Sequence, residues 1–420
     1  MYYLSRIEVI GGKQLHGELN IHGSKNAILP ILAATVLNRG VCKMNNCPNI
    51  LDVFHMNKIL ESIGCIVTME GNSITVDAKS LLKTEVSDEY VRQMRSSIIF
   101  AGSLLGREKS VTIAFPGGCS IGARPIDLHL KALKKLNVDI KEENGLLYFK
   151  STKIIGNDII LDFPSVGATE NIILASVLSE GITKITGAAK EPEIVELCNF
   201  LNAMGAKITG SGTDLIIIEG VKEVHDVEYT LAPDRIVAGT YMTAVAGSGG
   251  KITLKGSSCG ELYSVVMTLI DMGCRIYSGN DYITISSIER PKAIDIIRTG
   301  PYPGFPTDMQ SQVMAVLSIA RGTSVIIENI FEARYKNVSE LIKMGANIIA
   351  EGKMAVVKGV PMLHGAEVVA RDLRGGAALV IAGLIGEGRT IVDNTTYISR
   401  GYEDIVRDFS IIGGNIKYID

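Results

Sequence analysis

Ala377-Ala378-Leu379-Val380-Ile381-Ala382-Gly383-Leu384-Ile385-Gly386-Glu387-Gly388-Arg389-Thr390-Ile391-Val392 joins an apolar run to a strand-like one across a glycine turn. A helix apolar on nearly every face belongs in a protein interior. The glycines after the run suit a helix C-terminal cap, and the β-branched residues that follow suit a strand. The same succession returns at residues 31–44, 98–113, 173–185, 241–254 and 313–327.

A second pattern interleaves with the first. A helix closes on an apolar residue and a glycine, and two short strands follow around a polar turn. It occurs at Ile63-Gly64, Met204-Gly205, Met272-Gly273, Met344-Gly345 and Ile412-Gly413, with a weaker copy at Leu136-Asn137. Successive copies lie about 70 residues apart, and such a period signals a repeated supersecondary unit. Each unit is predicted as strand, helix, strand, helix, strand, strand, and six units fill the chain. The fold class is therefore α/β, six βαβαββ repeats in two domains of three, with apolar helices inside and sheets outside. A break at Leu231-Ala232-Pro233-Asp234-Arg235 divides the units evenly. The strand-like Ser5 to Ile10 is left over at the start and is expected to join the C-terminal half. The predicted domains are 23–232, and 1–22 with 233–420.

Composition narrows the function. The chain has 420 residues, 46% hydrophobic and 21% charged, which marks a folded globular protein. Its net charge of −3 offers no general attraction to nucleic acid or to acidic membranes. Any anionic ligand must meet a local cluster of Lys and Arg. The seven cysteines form no CxxC and the six histidines no HxxxH, so neither a disulfide framework nor a zinc site is indicated. The N-terminus lacks an apolar signal core and the apolar runs are too short to span a bilayer, which predicts a cytoplasmic protein. Gly247-Ser248-Gly249-Gly250-Lys251 resembles a phosphate loop, but Val245 and Ile252 occupy its first and last defining positions.

Pro116-Gly117-Gly118-Cys119-Ser120-Ile121-Gly122-Ala123-Arg124-Pro125 interrupts regular structure and carries a thiol near a guanidinium. Positive charge beside a cysteine favours its thiolate, whereas most cysteines are packing atoms. Basic residues also stand at unit starts or in glycine-rich turns: Lys25 in Gly23-Ser24-Lys25-Asn26, Arg95, Arg334, Arg374 in Asp372-Leu373-Arg374-Gly375, and Arg400. Ser24 and Asn26 suit a helix cap, and a helix N-terminus attracts anions. Singly each base is a solvated charge; jointly they suit a small polyanion, with Arg supplying bidentate geometry. Asp308, after Phe305-Pro306-Thr307, suits either a first-turn acid or a general base beside a substrate hydroxyl.

Taken together, the six-unit layout, Lys25-Asn26, Gly117 to Pro125, Phe305 to Asp308, Asp372-Leu373-Arg374 and Arg400-Gly401-Tyr402-Glu403 resemble the UDP-N-acetylglucosamine 1-carboxyvinyltransferases. These are enolpyruvyl transferases of bacterial peptidoglycan synthesis. The resemblance covers essentially the whole chain and implies an inside-out α/β barrel. It implies transfer of enolpyruvate from phosphoenolpyruvate to the 3-hydroxyl of UDP-N-acetylglucosamine, with no cofactor and no metal. It assigns Cys119, Asp308 and Arg400 to catalysis, Cys119 as acid toward the methylene carbon, as adduct site and as target of fosfomycin. Asp308 would take the sugar hydroxyl proton. Lys25, Asn26, Arg124, Arg334, Arg374 and Arg400 would bind phosphoenolpyruvate. Arg95, Arg124, Pro125, Ile126, Asp127, Leu128, Ser165, Val166, Gly167, Asp308 and Ile330 would line the nucleotide-sugar site.

One departure accompanies the match. Some members carry Lys where this chain has Phe163, two residues before Ser165. The alternatives are the sister transferase acting on shikimate 3-phosphate, which lacks the Cys loop, and a non-catalytic nucleotide-sugar-binding paralogue that regulates a partner. The presence of Cys119, Asp308 and the arginines weighs against the last.

Overall fold

The computed structural model describes residues 6–420 except 82, 87, 118–120 and 122–125. The described residues form six sheets, five of four strands and one of three. The sheet of Asp158–Ile160, Ile182–Thr186, Leu215–Glu219 and Lys207–Thr209 shows the common plan. Its first two strands are parallel and flank an inner helix in sequence, and an antiparallel hairpin completes it. The three-stranded sheet is the copy containing Leu136-Asn137; an isolated parallel bridge between Glu85 and Thr112 stands where its leading strand would be.

The apolar–glycine pairs act as helix stops. Gly64, Gly205, Gly273, Gly345 and Gly413 all have positive φ, a conformation that glycine adopts without steric cost. At the first, Gly64 N–H donates to Glu61 O at 3.0 Å and Cys65 N–H to Leu60 O at 3.0 Å, the paired bonds of a Schellman cap. Asn137 does the same work with φ 67, as its short polar side chain allows. The glycines of the other pattern divide. Gly249 caps the helix Arg235–Ser248 directly, whereas Gly181, Gly322 and Gly388 stand at positive φ immediately before their strands, beyond the helix end. In the second copy that position is held by Lys109, at φ 63.

Contacts divide the described residues into two compact units, one of residues 6–22, 121 and 233–420 and the other of residues 23–117 and 126–232. In the first unit the inner helices are Arg235–Ser248, Thr307–Leu317 and Leu373–Ile385, which pack on one another. They are buried throughout from Ile236 to Ala246, Met309 to Leu317 and Arg374 to Leu384. Burying an aliphatic side chain this fully contributes about 1.5–3 kcal/mol, so these all-round apolar helices form the core rather than a facing layer. Gly383 allows the last of them to lie close to its sheet, because a Cβ there would sit 3.2 Å from the Cβ atoms of Val9 and Thr390. In the second unit the inner helices are Lys25–Ala34, Phe100–Glu108 and Val166–Ser176, the middle one packed on both others.

Two leading strands do not pair within their own stretch of sequence. Leu15–Asn20 precedes the helix Lys25–Ala34 but runs parallel to Gly250–Lys255. Val227–Thr230 precedes Arg235–Ser248 but runs parallel to Val41–Asn45. The strand Arg6–Ile10 lies between Arg389–Asp393 and Asn415–Ile419, antiparallel to both, and completes the last sheet.

Candidate active site

The repeat brings the candidate residues to one kind of place. Lys25, Asp308 and Arg374 each lie in the first turn of a different inner helix, Ser165 is the N-cap of a fourth, and Arg95 opens the turn that leads into a fifth. Helix N-termini present unpaired N–H groups and the positive end of the helix dipole, so they favour anions.

In the first unit, Asp308 is gripped by two nearly buried arginines. Arg334 Nη2 donates to Oδ1 at 2.6 Å, and Arg374 donates to Oδ2 from Nε at 3.2 Å and from Nη2 at 3.0 Å. The arginine side chains are 3% and 2% exposed and Asp308 26%, so the carboxylate is the part of this cluster that solvent reaches. Arg334 is further fixed by Nε and Nη2 on Thr307 O, both at 3.1 Å. Burial opposes the charge on Arg374, but Asp308 first, then Tyr402 and Asp234, outweigh it and hold the guanidinium above its ordinary pKa. Asp372 caps the same helix, accepting from the N–H groups of Arg374 and Gly375 at 3.0 and 2.9 Å. Ile330 is half-buried, its N–H donating at 2.8 Å to Glu328, a buried carboxylate that also accepts from Phe331 N–H at 3.1 Å. Arg400 ends the 3-10 turn Thr395–Arg400, half-buried.

In the second unit, Lys25 pairs with buried Asp52 at 2.9 Å, and Asn26 beside it is half-buried. Ser24 occupies the N-cap position without a side-chain capping bond, so the cap expected of it is positional only. Arg95 Nη1 donates to Pro116 O at 3.4 Å. At the stem of the Cys119 segment, Gly117 lies so close to Arg92 that a Cβ would come within 2.1 Å of its carbonyl oxygen. Only glycine fits there. Ser165 accepts from Ala168 N–H at 3.3 Å, Val166 opens the helix, and a Cβ at Gly167 would sit 3.0 Å from the ring of His129. Ile126 is buried, and Asp127 and Leu128 begin the helix Asp127–Lys135, exposed and half-buried in turn. Phe163 is 44% exposed. Cys119, Arg124 and Pro125 lie outside the described residues.

Several members of these clusters carried no sequence signal. His129 is buried, and burial first, then the Arg95 charge, pushes its pKa down to about 4. Asn171 holds it in place. Burial, then the charges of Glu193 and Glu191, raises the Glu170 carboxyl well above the usual carboxylate range. Asp52, Thr240 and Gln312 belong to the same class, because only tertiary packing makes them neighbours of the predicted residues. Among the described residues no cluster of metal-ligating side chains occurs, and no helix is long and apolar enough to cross a membrane.

Chemically, the first unit sets a carboxylate against two guanidinium groups, and in the second unit a lysine stands at a helix N-terminus. The family described as EPSP synthase (3-phosphoshikimate 1-carboxyvinyltransferase) matches residues 9–409. UDP-N-acetylglucosamine 1-carboxyvinyltransferase 2 of Caldanaerobacter subterraneus subsp. tengcongensis is 54% identical over 416 residues, covering 99% of this chain and all of that one. The UDP-N-acetylglucosamine 1-carboxyvinyltransferase of Clostridium botulinum is 45% identical, covering 98% and 99%. Among solved structures, the enolpyruvyl transferase NikO from Streptomyces tendae aligns with a TM-score of 0.89 at 23% identity, over 99% of this chain and 98% of that one. EPSP synthase from Acinetobacter baumannii aligns at 0.76 and 17% identity, over 99% and 100%, and these two likenesses carry the fold alone. With the buried inner helices and the repeated sheets observed above, this full-length agreement makes the chain a member of the enolpyruvyl transferase family, in its UDP-N-acetylglucosamine 1-carboxyvinyltransferase branch.

Proposed function

We propose that this protein transfers the enolpyruvyl group of phosphoenolpyruvate to the 3-hydroxyl of UDP-N-acetylglucosamine, the first committed step of peptidoglycan synthesis. The observation that carries the reading is full-length identity of 43–54% to relatives bearing that activity in their names, on a chain whose Asp308, Arg334 and Arg374 form one cluster. On this reading the enzyme works in the cytoplasm on two small-molecule substrates.

The reaction is an addition followed by an elimination. A proton from Cys119 adds to the methylene carbon of phosphoenolpyruvate while the sugar oxygen bonds to C2, and Asp308 takes the hydroxyl proton. The tetrahedral adduct then loses a proton from the new methyl group and expels phosphate, restoring the double bond. Lys25, Arg124, Arg334, Arg374 and Arg400 hold the anionic groups, with Asn26 beside Lys25, and Arg400 stabilises charge as it develops. Arg334 also fixes Asp308 and the Thr307 carbonyl. Arg95, the segment Arg124 to Leu128, the turn Ser165 to Gly167 and Ile330 line the nucleotide-sugar site. Phe163 replaces a cation near that turn with an exposed aromatic face, which alters the contact to the nucleotide end and leaves the chemistry untouched.

Phosphate release from phosphoenolpyruvate, with UDP-N-acetylglucosamine or shikimate 3-phosphate as acceptor, tests the proposal. Release with the nucleotide-sugar alone is the expected result. Release with shikimate 3-phosphate alone would transfer the chain to the sister activity, and release with neither would leave a binding protein.

A further inference from the structure

Five residues of the first unit close a ring of hydrogen bonds that spans all three of its inner helices. Arg374 reaches Asp308 through Nε and Nη2, and its Nη1 lies 3.4 Å from the hydroxyl of Tyr402. That hydroxyl lies 2.8 Å from Thr240 Oγ1, Gln312 Nε2 donates to Thr240 Oγ1 at 3.3 Å, and the same amide nitrogen donates to Asp308 O at 2.8 Å. Tyr402, Thr240, Gln312 and Arg374 are each 2% exposed or less.

The proton directions follow from the partners. Thr240 also donates to Ile236 O at 2.8 Å, and a carbonyl only accepts. The Thr240 proton is therefore committed, so Tyr402 must donate to Thr240 and present its lone pairs to Arg374. A guanidinium has no acceptor, so Arg374 donates to Tyr402. The tyrosine ring lies under the guanidinium as well, 5.7 Å from ring centre to Cζ. Arg374 is thus held from both sides, by Asp308 at one edge and by Tyr402 at the other, with donor capacity remaining on Nη1 and Nη2.

We infer that Tyr402 is a positioning residue for the anion-binding arginine, with Thr240 as the acceptor that sets its hydroxyl. This deepens the reading given under Proposed function and rests on it. Because Tyr402 also stands two residues after Arg400, one anchored side chain registers two of the proposed phosphoenolpyruvate ligands at once. A buried ring of this kind is most effective when every member is satisfied, and removal of one oxygen leaves its neighbour's donor unmatched.

The test compares steady-state kinetics and thermal unfolding of Tyr402→Phe, Thr240→Val and Thr240→Ser with the parent enzyme. Loss of one such hydrogen bond is expected to raise KM for phosphoenolpyruvate about tenfold in Tyr402→Phe and Thr240→Val, with KM for the nucleotide-sugar within about twofold. Thr240→Ser, which keeps the hydroxyl, should restore parental values. An unchanged phosphoenolpyruvate KM, equal rises for both substrates, or failure of Thr240→Ser to rescue would overturn the inference. Nitrogen-15 NMR of the Arg374 Nη1–H groups, assigned through Arg374→Lys, supplies a readout independent of turnover, because Nη1 is the nitrogen that faces Tyr402. Exchange protection is expected in the parent and lost in Tyr402→Phe; equal protection in both would overturn the positioning role. An inactive parent with a protected Nη1–H would defeat the functional reading and leave the ring standing.

Discussion

Asn171 Nδ2 donates to Nδ1 of the buried His129 at 2.7 Å. The direction is fixed from the other end of the amide, because Asn171 Oδ1 accepts the Gly102 N–H at 2.7 Å. An acceptor Nδ1 places the ring proton on Nε2 and requires neutral imidazole. Since the pKa is about 4 in the folded chain against 6.5 ordinarily, the unfolded state binds more protons between those values. Stability is then complete above pH 6.5 and falls as pH drops toward 4, by about 2 kcal/mol at pH 5. Thermal unfolding of the parent and of His129→Gln at pH 7 and pH 5 checks this. The variant should lose that share of the pH dependence, and identical pH profiles would refute it.

Asp308 compensates two buried guanidinium groups as well as serving the chemistry assigned to it. Asp308→Asn is expected to lose phosphate release by about a hundredfold or more. It should also lose about 3 kcal/mol of stability, because Arg374 loses its hydrogen-bonded counter-charge and Arg334 keeps only Asp372, 3.9 Å away. Near-parental turnover would remove Asp308 from its role as base, and an unchanged melting temperature would mean the arginines find other partners.

Five of the seven thiols are buried beyond easy reaction. Burial pushes Cys42, Cys47 and Cys198 up to about 12 and Cys65 and Cys274 up to about 11. The thiolate is the reacting form, so an epoxide such as fosfomycin at neutral pH should modify Cys119 in preference to these. Cys259, which is half-buried, serves as the internal control. Peptide mass mapping with modification mainly on any other cysteine would count against the assignment. Cys119→Ser should abolish most turnover with the melting temperature unchanged.

Lys109 adopts φ 63 and ψ 6 where four other copies of the repeat place a glycine at positive φ. Its burial also lowers the lysine pKa, against the nearby Glu108. Replacing a left-handed lysine by glycine removes a steric cost of about 1 kcal/mol. Lys109→Gly should therefore raise the melting temperature by about 2–4 °C. A lower melting temperature would show that contacts of the lysine stem outweigh the backbone strain.

Much of the fold was legible because its stops are local. A glycine after Ile63, Met204, Met272, Met344 or Ile412 must leave the helix in the left-handed conformation, and that requirement is visible in any window that contains it. The copies at Lys109 and Asn137 were harder to see, because other residues occupy the same conformation. The pairing of Leu15–Asn20 with Gly250–Lys255 and of Val227–Thr230 with Val41–Asn45 had no local signature at all. The candidate site divides in the same way. Charged residues at helix starts announced themselves, as Lys25, Arg374 and Asp308 did. Their buried supports, among them Asp52, His129, Asn171, Thr240 and Gln312, look like ordinary helix residues until the packing makes them neighbours.

The strand Arg6–Ile10 is hydrogen-bonded on one side to Arg389–Asp393 and on the other to Asn415–Ile419. On the ribosome this strand emerges long before either partner, and it stays an open edge until both have been made. Loop-closure entropy makes such a contact late and slow. The nascent chain thus carries an exposed β-edge that a chaperone or a neighbouring chain can occupy first. A circular permutant that starts after the first strand and carries it on a short linker behind residue 420 would deliver the last sheet in one piece. Such a molecule should refold faster than the parent while keeping the same native sheet.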